Sequence, residues 1–300
     1  MTQRIHSHGK LLLTGEYVVL DGALSLAIPT QKGQSLDIVE IDEPKIHWQS
    51  FLHDKSLWIN RELDLSLNEV FTKEDLVVER IQQILIEIQK LNPSLFKKGI
   101  QFKNELEFDR SWGLGSSSTL IYNLAQWAQI DPYVLLSNTF GGSGYDIACA
   151  QADGPITYQL KKSKPQVAKA TFNPSFSEEL FFVHLNKKQN SRESIQHYRN
   201  ANPKNLDTAI GEISAITKAC IGCKEIGHFE ELLTAHENII SGLIKTPTIK
   251  KQMFPCYSRS IKSLGGWGGD FILAVGSVKE QEYFRKKGFT TIIPYAEMAL

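Results

Sequence analysis

The chain has 300 residues, with 33 Lys+Arg balanced by 33 Asp+Glu and 42% hydrophobic residues. That length can bury a sizeable core in one large domain or two of ordinary size, and a net charge of zero argues against a binder of nucleic acid or of a polyanionic surface. No apolar run approaches the ~20 residues that span a bilayer, residues 1–8 lack the apolar stretch of a secretory signal, and four cysteines do not make a disulfide framework in a chain this long. A cytoplasmic protein without a nucleic-acid or membrane partner is expected.

Residues 11–13 and 18–20 are apolar runs too short for helices and bounded by glycines, which predicts buried strand or strand-to-turn segments. Asp21-Gly22 signals a tight turn, and 24–28 reads as the next strand, closed by Pro29. Gly9-Lys10 is not a Walker A loop, because no glycine stands five residues before Gly9 and no Ser/Thr follows Lys10. Alternation over 34–66 predicts antiparallel strands and hairpins. Thr72-Lys73-Glu74-Asp75 resembles a capping box, and Leu76, Val77, Ile81, Ile84, Leu85, Ile88 and Leu91 carry a helical stripe that Asn92-Pro93 stops. Residues 100–108 form a strand candidate.

That strand leads into Ser111-Trp112-Gly113-Leu114-Gly115-Ser116-Ser117-Ser118-Thr119-Leu120. Glycines admit positive φ and close approach of a ligand to the backbone. Serines are good N-caps, and Leu120, Ile121, Leu124, Ala125 and Ala128 follow at helical spacing, so a helix starts within the run. A glycine turn feeding a helix N-terminus favours an anion through unpaired N–H groups and the helix dipole. A polyphosphate is the inferred ligand, with simple capping as the plain alternative.

Asp131-Pro132 predicts an N-cap with proline at N1 and a short helix. A second glycine cluster follows, Gly141-Gly142-Ser143-Gly144-Tyr145-Asp146, with a lone carboxylate directly after it. Strands are expected at 157–160 and 180–185, an exposed hairpin at 161–169 and a domain break near 155–175. Helices are expected at about 204–226 and 229–240, and a third glycine cluster at Gly265-Gly266-Trp267-Gly268-Gly269-Asp270. A strand at 271–275, a helix at 278–287 and a strand at 290–293 complete the chain. Cys220 and Cys223 have metal-like spacing but no second pair and fall on a helix, so no metal site is assigned to them.

Three glycine clusters in this order resemble the three motifs of the GHMP kinase superfamily, over nearly the whole chain. Gly9-Lys10 through Gly15-Glu16-Tyr17-Val18-Val19 resembles the first, with His8 where proline is usual. Gly113-Leu114-Gly115-Ser116-Ser117-Ser118 resembles the second, the phosphate loop. Lys262 through Gly269 resembles the third, with Trp267 and Asp270 where glycines are usual. Ser143-Gly144-Tyr145-Asp146 is similar to the segment carrying the catalytic aspartate of the mevalonate branch, and 186–193 to its substrate-side segment, with Asn186, Ser191 and Arg192 either anion contacts or ordinary loop residues. Gly-Glu-Tyr in the first motif looks more like phosphomevalonate kinases than mevalonate kinases. Two departures stand out. Asp146 follows Ser116 by only 30 residues, and the family's magnesium-binding glutamate has no counterpart among residues 135–139.

The resemblance implies an α+β two-domain GHMP kinase fold, a ribosomal-protein-S5-like N-terminal domain over 1–160 and a ferredoxin-like C-terminal domain over 161–300. It implies ATP and Mg²⁺ as cofactors and a kinase of mevalonate or phosphomevalonate, and it is compatible with a homodimer. The related diphosphomevalonate decarboxylase and a catalytically silent nucleotide binder stay open. Asp146 and Lys10 are the expected catalytic residues. Gly113, Leu114, Gly115, Ser116, Ser117 and Ser118, with Gly265, Gly266 and Gly268, are the expected nucleotide contacts, and Ser116 or Ser117 reaches Mg²⁺. Glu16 is expected to bond turn amides, and Trp267 to pack on adenine or to fill space beside the glycines.

Overall fold

A computed structural model describes residues 2–67, 76–203 and 205–300. The capping box expected at 72–75 lies outside the described residues. Packing divides the chain into two compact units. Unit 1 comprises Met1–Gly9, Lys32–Arg110 and Gly115–Gln151, and unit 2 comprises Lys10–Gln31, Ser111–Leu114 and Ala152–Leu300. The chain therefore leaves unit 1 for the last time just before the break expected near 155–175. Strands β1 (Gln3–Thr14) and β2 (Ser25–Ile41) pair with each other, and each contributes residues to both units.

In unit 1, β2 is followed by the hairpin β3 (Lys45–Phe51) and β4 (Leu57–Asp64), helix α1 (Leu76–Leu91) and β5 (Gly99–Leu106). Residues 34–41 of β2 run antiparallel to β5, while β3 lies parallel to β5 and antiparallel to β4. Parallel pairing of β3 with β5 requires a long crossover, and α1 supplies it. Alternation along β5 buries Ile100, Phe102 and Leu106. Phe102 meets Trp48 at 5.2 Å between ring centroids and the edge of Trp127 at 4.9 Å. The helical stripe of α1 buries Ile81, Ile84, Leu85 and Ile88 in that core. Helices α2 (Ser116–Ala128), α3 (Pro132–Thr139) and α4 (Tyr145–Ala150) complete the unit. Asp131 caps α3 by accepting the Tyr133 N–H, as its sequence predicts.

The C-terminal segment of unit 2 begins with the hairpin β6 (Ile156–Lys161) and β7 (Lys164–Lys169), of which β7 is exposed while β6 buries Ile156 and Tyr158 and pairs with residues 25–27 of β2. Then follow β8 (Leu180–His184), α5 (Ser191–Ala201), α6 (Leu206–Gly222), α7 (Ile226–Ile244) and α8 (Ile249–Met253). The chain ends with β9 (Ile261–Ser263), β10 (Phe271–Val275), α9 (Val278–Lys286), β11 (Ile292–Pro294) and α10 (Tyr295–Met298). Four of these strands form an antiparallel sheet in the order β11-β8-β10-β9, with α7 packed on β9. Mixed and antiparallel sheets with packed helices make this the α+β class expected.

One local expectation changes and one open reading is decided. Pro29 does not end its strand: it sits between the pairing of β2 with β6, which stops at Ala27, and with β5, which starts at Gln34. Neither ladder needs the N–H that proline lacks. Of the two readings open for 18–20, the turn holds: residues 18–21 form a 3-10 turn, because positive φ at Gly15 and Tyr17 turns the chain and buries Val18 and Val19 within unit 2. A Cβ on Gly15 would stand 2.0 Å from Ser25 Oγ, so only glycine fits there.

Behind this turn lies a fully buried ionic cluster within unit 2. Lys262 Nζ on β9 donates to Glu16 Oε1 at 2.6 Å and to the Ser263 carbonyl at 2.6 Å, with Glu237 Oε1 of α7 at 3.4 Å. Ser263 Oγ donates to Glu237 Oε2 at 2.9 Å. The Gly15 N–H donates to His236 Nε2 at 2.8 Å, so the ring is neutral and protonated on Nδ1. Burial, aided by Lys262, holds His236 well below its usual pKa. Two carboxylates thus share one ammonium. Burial outweighs Lys262 and pushes the Glu16 carboxyl up to about 7, and raises Glu237 as well. A raised carboxyl contributes stability below the unfolded value near 4.5 and loses it as pH climbs through about 7. Lys262→Met leaves both carboxylates without a counter-charge. Urea unfolding at pH 8 is expected to show a loss of about 3–5 kcal/mol, shrinking towards pH 5 as the carboxyls take up protons. Equal losses at both pH values would count against charged carboxylates in this cluster.

Candidate active site

The second glycine motif turns sharply before its helix. Gly113 and Gly115 take φ of +66° and +90°, and α2 begins at Ser116 with Gly115 as its N-cap and no capping side chain. The expectation of a serine cap is therefore corrected: the serines lie inside the first turn, and a left-handed glycine starts the helix. Thr119 N–H closes on the Gly115 carbonyl at 3.0 Å. The amides of Ser116, Ser117 and Ser118 precede the first intrahelical bond and face the helix N-terminus. Ser117 is exposed and Ser116 half-buried.

Unit 1 also brings Asp146 to this turn. Gly144, at φ +86°, starts α4 and puts Asp146 in its first turn. Helices α2 and α4 pack together, and Ser118 Oγ donates to Asp146 Oδ2 at 3.4 Å. A carboxylate and three hydroxyls thus share one helix end.

Unit 2 holds the remaining expected residues. The Lys10 N–H on β1 donates to the Leu114 carbonyl at 3.0 Å, which stitches the strand to the 111–114 turn. Lys10, Leu12, Trp112, Gly113, Gly265 and Asp270 line a narrow cleft of about 10 Å³. The 265–269 loop is clamped by residues that sequence reasoning passed over. Gln189 Nε2 donates to the Trp267 carbonyl at 2.9 Å, and the Gln189 N–H donates to Asp270 Oδ1 at 3.1 Å. A Cβ on Gly266 would stand 2.5 Å from Gln189 Cβ, so the loop and the 187–189 segment touch closely. The segment that resembled a substrate contact thus braces the third motif. Asn186 is turned elsewhere and donates to the Gly288 carbonyl at 3.1 Å.

Trp267 fills space. It is buried, its indole N–H donates to the Pro247 carbonyl at 2.9 Å, and its backbone N–H donates to Tyr17 Oη at 3.0 Å. Burial pushes the Tyr17 phenol up to about 12, so it stays protonated at neutral pH. Glu16, expected on turn amides, bonds its own backbone N–H and also meets Lys262. Beside Tyr17 and Trp267 a cavity of about 260 Å³ opens, with Glu193, Ser194 and His197 of α5 and Thr246 on its walls. The Cys220 and Cys223 thiols are buried, burial pushes Cys220 up to about 12, and no metal-binding group of three His, Cys, Asp or Glu occurs among the described residues. Among the described residues no helix is long and apolar enough to cross a membrane. Sequence signals for Gln189 were absent, whereas Asp270 was visible as a charge inside a glycine cluster.

No known family profile matches the chain, and no curated protein matches it in sequence. Solved structures do match. Mevalonate kinase from Methanococcus jannaschii has a TM-score of 0.69 at 18% identity, covering 96% of this chain and 94% of its own. Phosphomevalonate kinase from Streptococcus pneumoniae, in complex with phosphomevalonate and AMPPNP, has a TM-score of 0.68 at 16% identity, with 97% and 99% covered. Galactokinase from Lactococcus lactis, complexed with galactose, has a TM-score of 0.66 at 13% identity, with 95% and 88% covered. The three glycine motifs and the two kinds of sheet thus sit in one architecture: the chain has the two-domain α+β fold of the GHMP kinases.

Proposed function

We propose that the protein is a cytoplasmic, ATP-dependent kinase of a small hydroxylated acid, with mevalonate or phosphomevalonate as acceptor. The observation that carries this reading is the Asp146 carboxylate bonded to Ser118 at the N-terminus of a helix entered through a glycine turn. Fold likeness to kinases of mevalonate, phosphomevalonate and galactose supports it.

Phosphoryl transfer needs positioned phosphates, compensated charge and an oriented hydroxyl. The amides of 113–118 bind the β- and γ-phosphates, Lys10 supplies positive charge, and Asp146 orients the acceptor hydroxyl and accepts its proton. The third loop, with Gly265, Gly266 and Gly268, flanks the nucleotide. Magnesium favours oxygen donors and is commonly held by one or two protein groups together with nucleotide phosphates and water. The Ser116 and Ser117 hydroxyls, unused as caps, fit that donor set, and Asp146, bonded to the neighbouring Ser118, would add a carboxylate oxygen where the family's glutamate is missing. When bound, the ion neutralises charge on the transferring phosphoryl group.

ADP release with Mg·ATP, measured against mevalonate, phosphomevalonate, diphosphomevalonate, homoserine and galactose, identifies the acceptor. Turnover is expected with mevalonate or phosphomevalonate only. Asp146→Asn is expected to lower kcat by about 10²- to 10⁴-fold with ADP affinity nearly unchanged, and undiminished turnover would remove Asp146 from the mechanism. Ser116→Ala together with Ser117→Ala is expected to weaken Mg·ATP binding several-fold; wild-type affinity would leave those serines no part in nucleotide binding. Binding of Mg·ATP without turnover on any acceptor would reject the kinase reading.

A further inference from the structure

Asp270 puts a charge in a loop otherwise built of glycines and one tryptophan. It takes φ +55°, a left-handed backbone uncommon for residues other than glycine, asparagine and aspartate. That backbone is held from both sides: its N–H donates to the Lys187 carbonyl at 2.7 Å, and its carbonyl accepts the Leu185 N–H at 2.8 Å. The residue is only 5% exposed. Its carboxylate accepts backbone N–H groups from Gln189, at 3.1 Å, and from Gly266. A Cβ placed on Gly113 would stand 2.4 Å from Asp270 Cγ and 2.6 Å from each carboxylate oxygen. The first residue of the phosphate turn is therefore glycine because the Asp270 carboxylate fills the space beside it.

The charges facing this carboxylate are few. Lys10 on β1 is the stronger and Lys188, in the 187–189 segment, the weaker. The 111–114 turn, the 265–269 loop and β10 contain no ionisable side chain. His184 on β8 packs on Phe271, with Nε2 at 3.1 Å from the Ser111 carbonyl. Burial raises the Asp270 carboxyl above the usual range against the pull of Lys10. In the protein as it stands, an anion is thus already lodged against the turn expected to receive phosphate, and it draws on the same lysine.

A polyphosphate on the turn amides brings like charge against Asp270 and competes for Lys10. Two anions in one buried cleft with one nearby ammonium are relieved when the carboxylate becomes neutral. We propose that Asp270 is an internal counter-anion for Lys10 that takes up one proton from solvent when a nucleotide polyphosphate binds at the Gly113 turn. Asp270 thereby holds the turn and the 265–269 loop together in the empty protein and makes nucleotide affinity fall as pH rises. The inference rests on the phosphate site proposed above.

Titration calorimetry of ADP with the full chain, in EDTA at pH 8, tests it. The titrations are repeated in Tris and in HEPES, whose ionisation enthalpies differ, so that the heat difference counts protons. Wild type is expected to take up a proton on binding ADP. Asp270→Asn is expected to take up none, to bind ADP at least 5-fold more tightly and to lose most of the pH dependence between 6.5 and 8.5. Asp270→Gly, which suits φ +55° and carries no charge, is expected to behave likewise and serves where the asparagine variant does not fold. Equal proton uptake in wild type and variant, or weaker ADP binding by both variants, would overturn the proposal. Absence of ADP binding to wild type would instead reject the phosphate site itself, whereas tight binding with no proton taken up would reject only the role of Asp270.

Discussion

The Lys262 ammonium is the fixed point of unit 2. A buried lysine is tolerated only if its charge is matched, and here the match is Glu16, 246 positions earlier in the chain. Glu16 follows Gly15 in the first glycine motif, and Lys262 lies in the middle of β9, the strand that runs into the third glycine cluster. Their bond at 2.6 Å therefore ties the turn that presents Tyr17 to the loop that presents Gly265 and Asp270. Glu237 gives the ammonium a second carboxylate, and the neutral His236 ring accepts the Gly15 N–H. The arrangement holds an excess of potential negative charge in a dry interior, which is why its carboxyls resist ionisation.

Around the glycine turn before α2, backbone conformation and charge work together. Left-handed glycines at 113 and 115 leave α2 without a capping side chain, so its first amides keep their capacity to bind an anion. Two carboxylates from later in the chain, Asp146 and Asp270, approach this segment. Asp146 bonds to Ser118 inside unit 1, and Asp270 presses on Gly113 inside unit 2. The first is half-buried at a helix start; the second is enclosed by amides and feels the charge of Lys10.

Much of the local structure was legible in the sequence because local structure follows local period. The apolar stripe of α1, the Asp131-Pro132 start of α3 and the alternation of β5 each carry their own signal over a few residues. Glycine clusters marked where the backbone needs positive φ. Misreadings arose where one residue type has two uses: Pro29 reads as a stop but lies between two ladders, and serines read as caps but sit inside the helix that Gly115 starts.

By itself, then, the sequence determined the α+β class, the order of the three glycine motifs and the presence of a carboxylate after the second cluster. Only the tertiary structure decided that Lys262 answers Glu16, that Gln189 clamps the third loop, and that Asp270 fills the space beside Gly113. Those partners lie between 78 and 246 residues apart. Periodicity has a reach of a few residues, whereas the need to match a buried charge or fill a buried space acts at contact distance and ignores sequence separation.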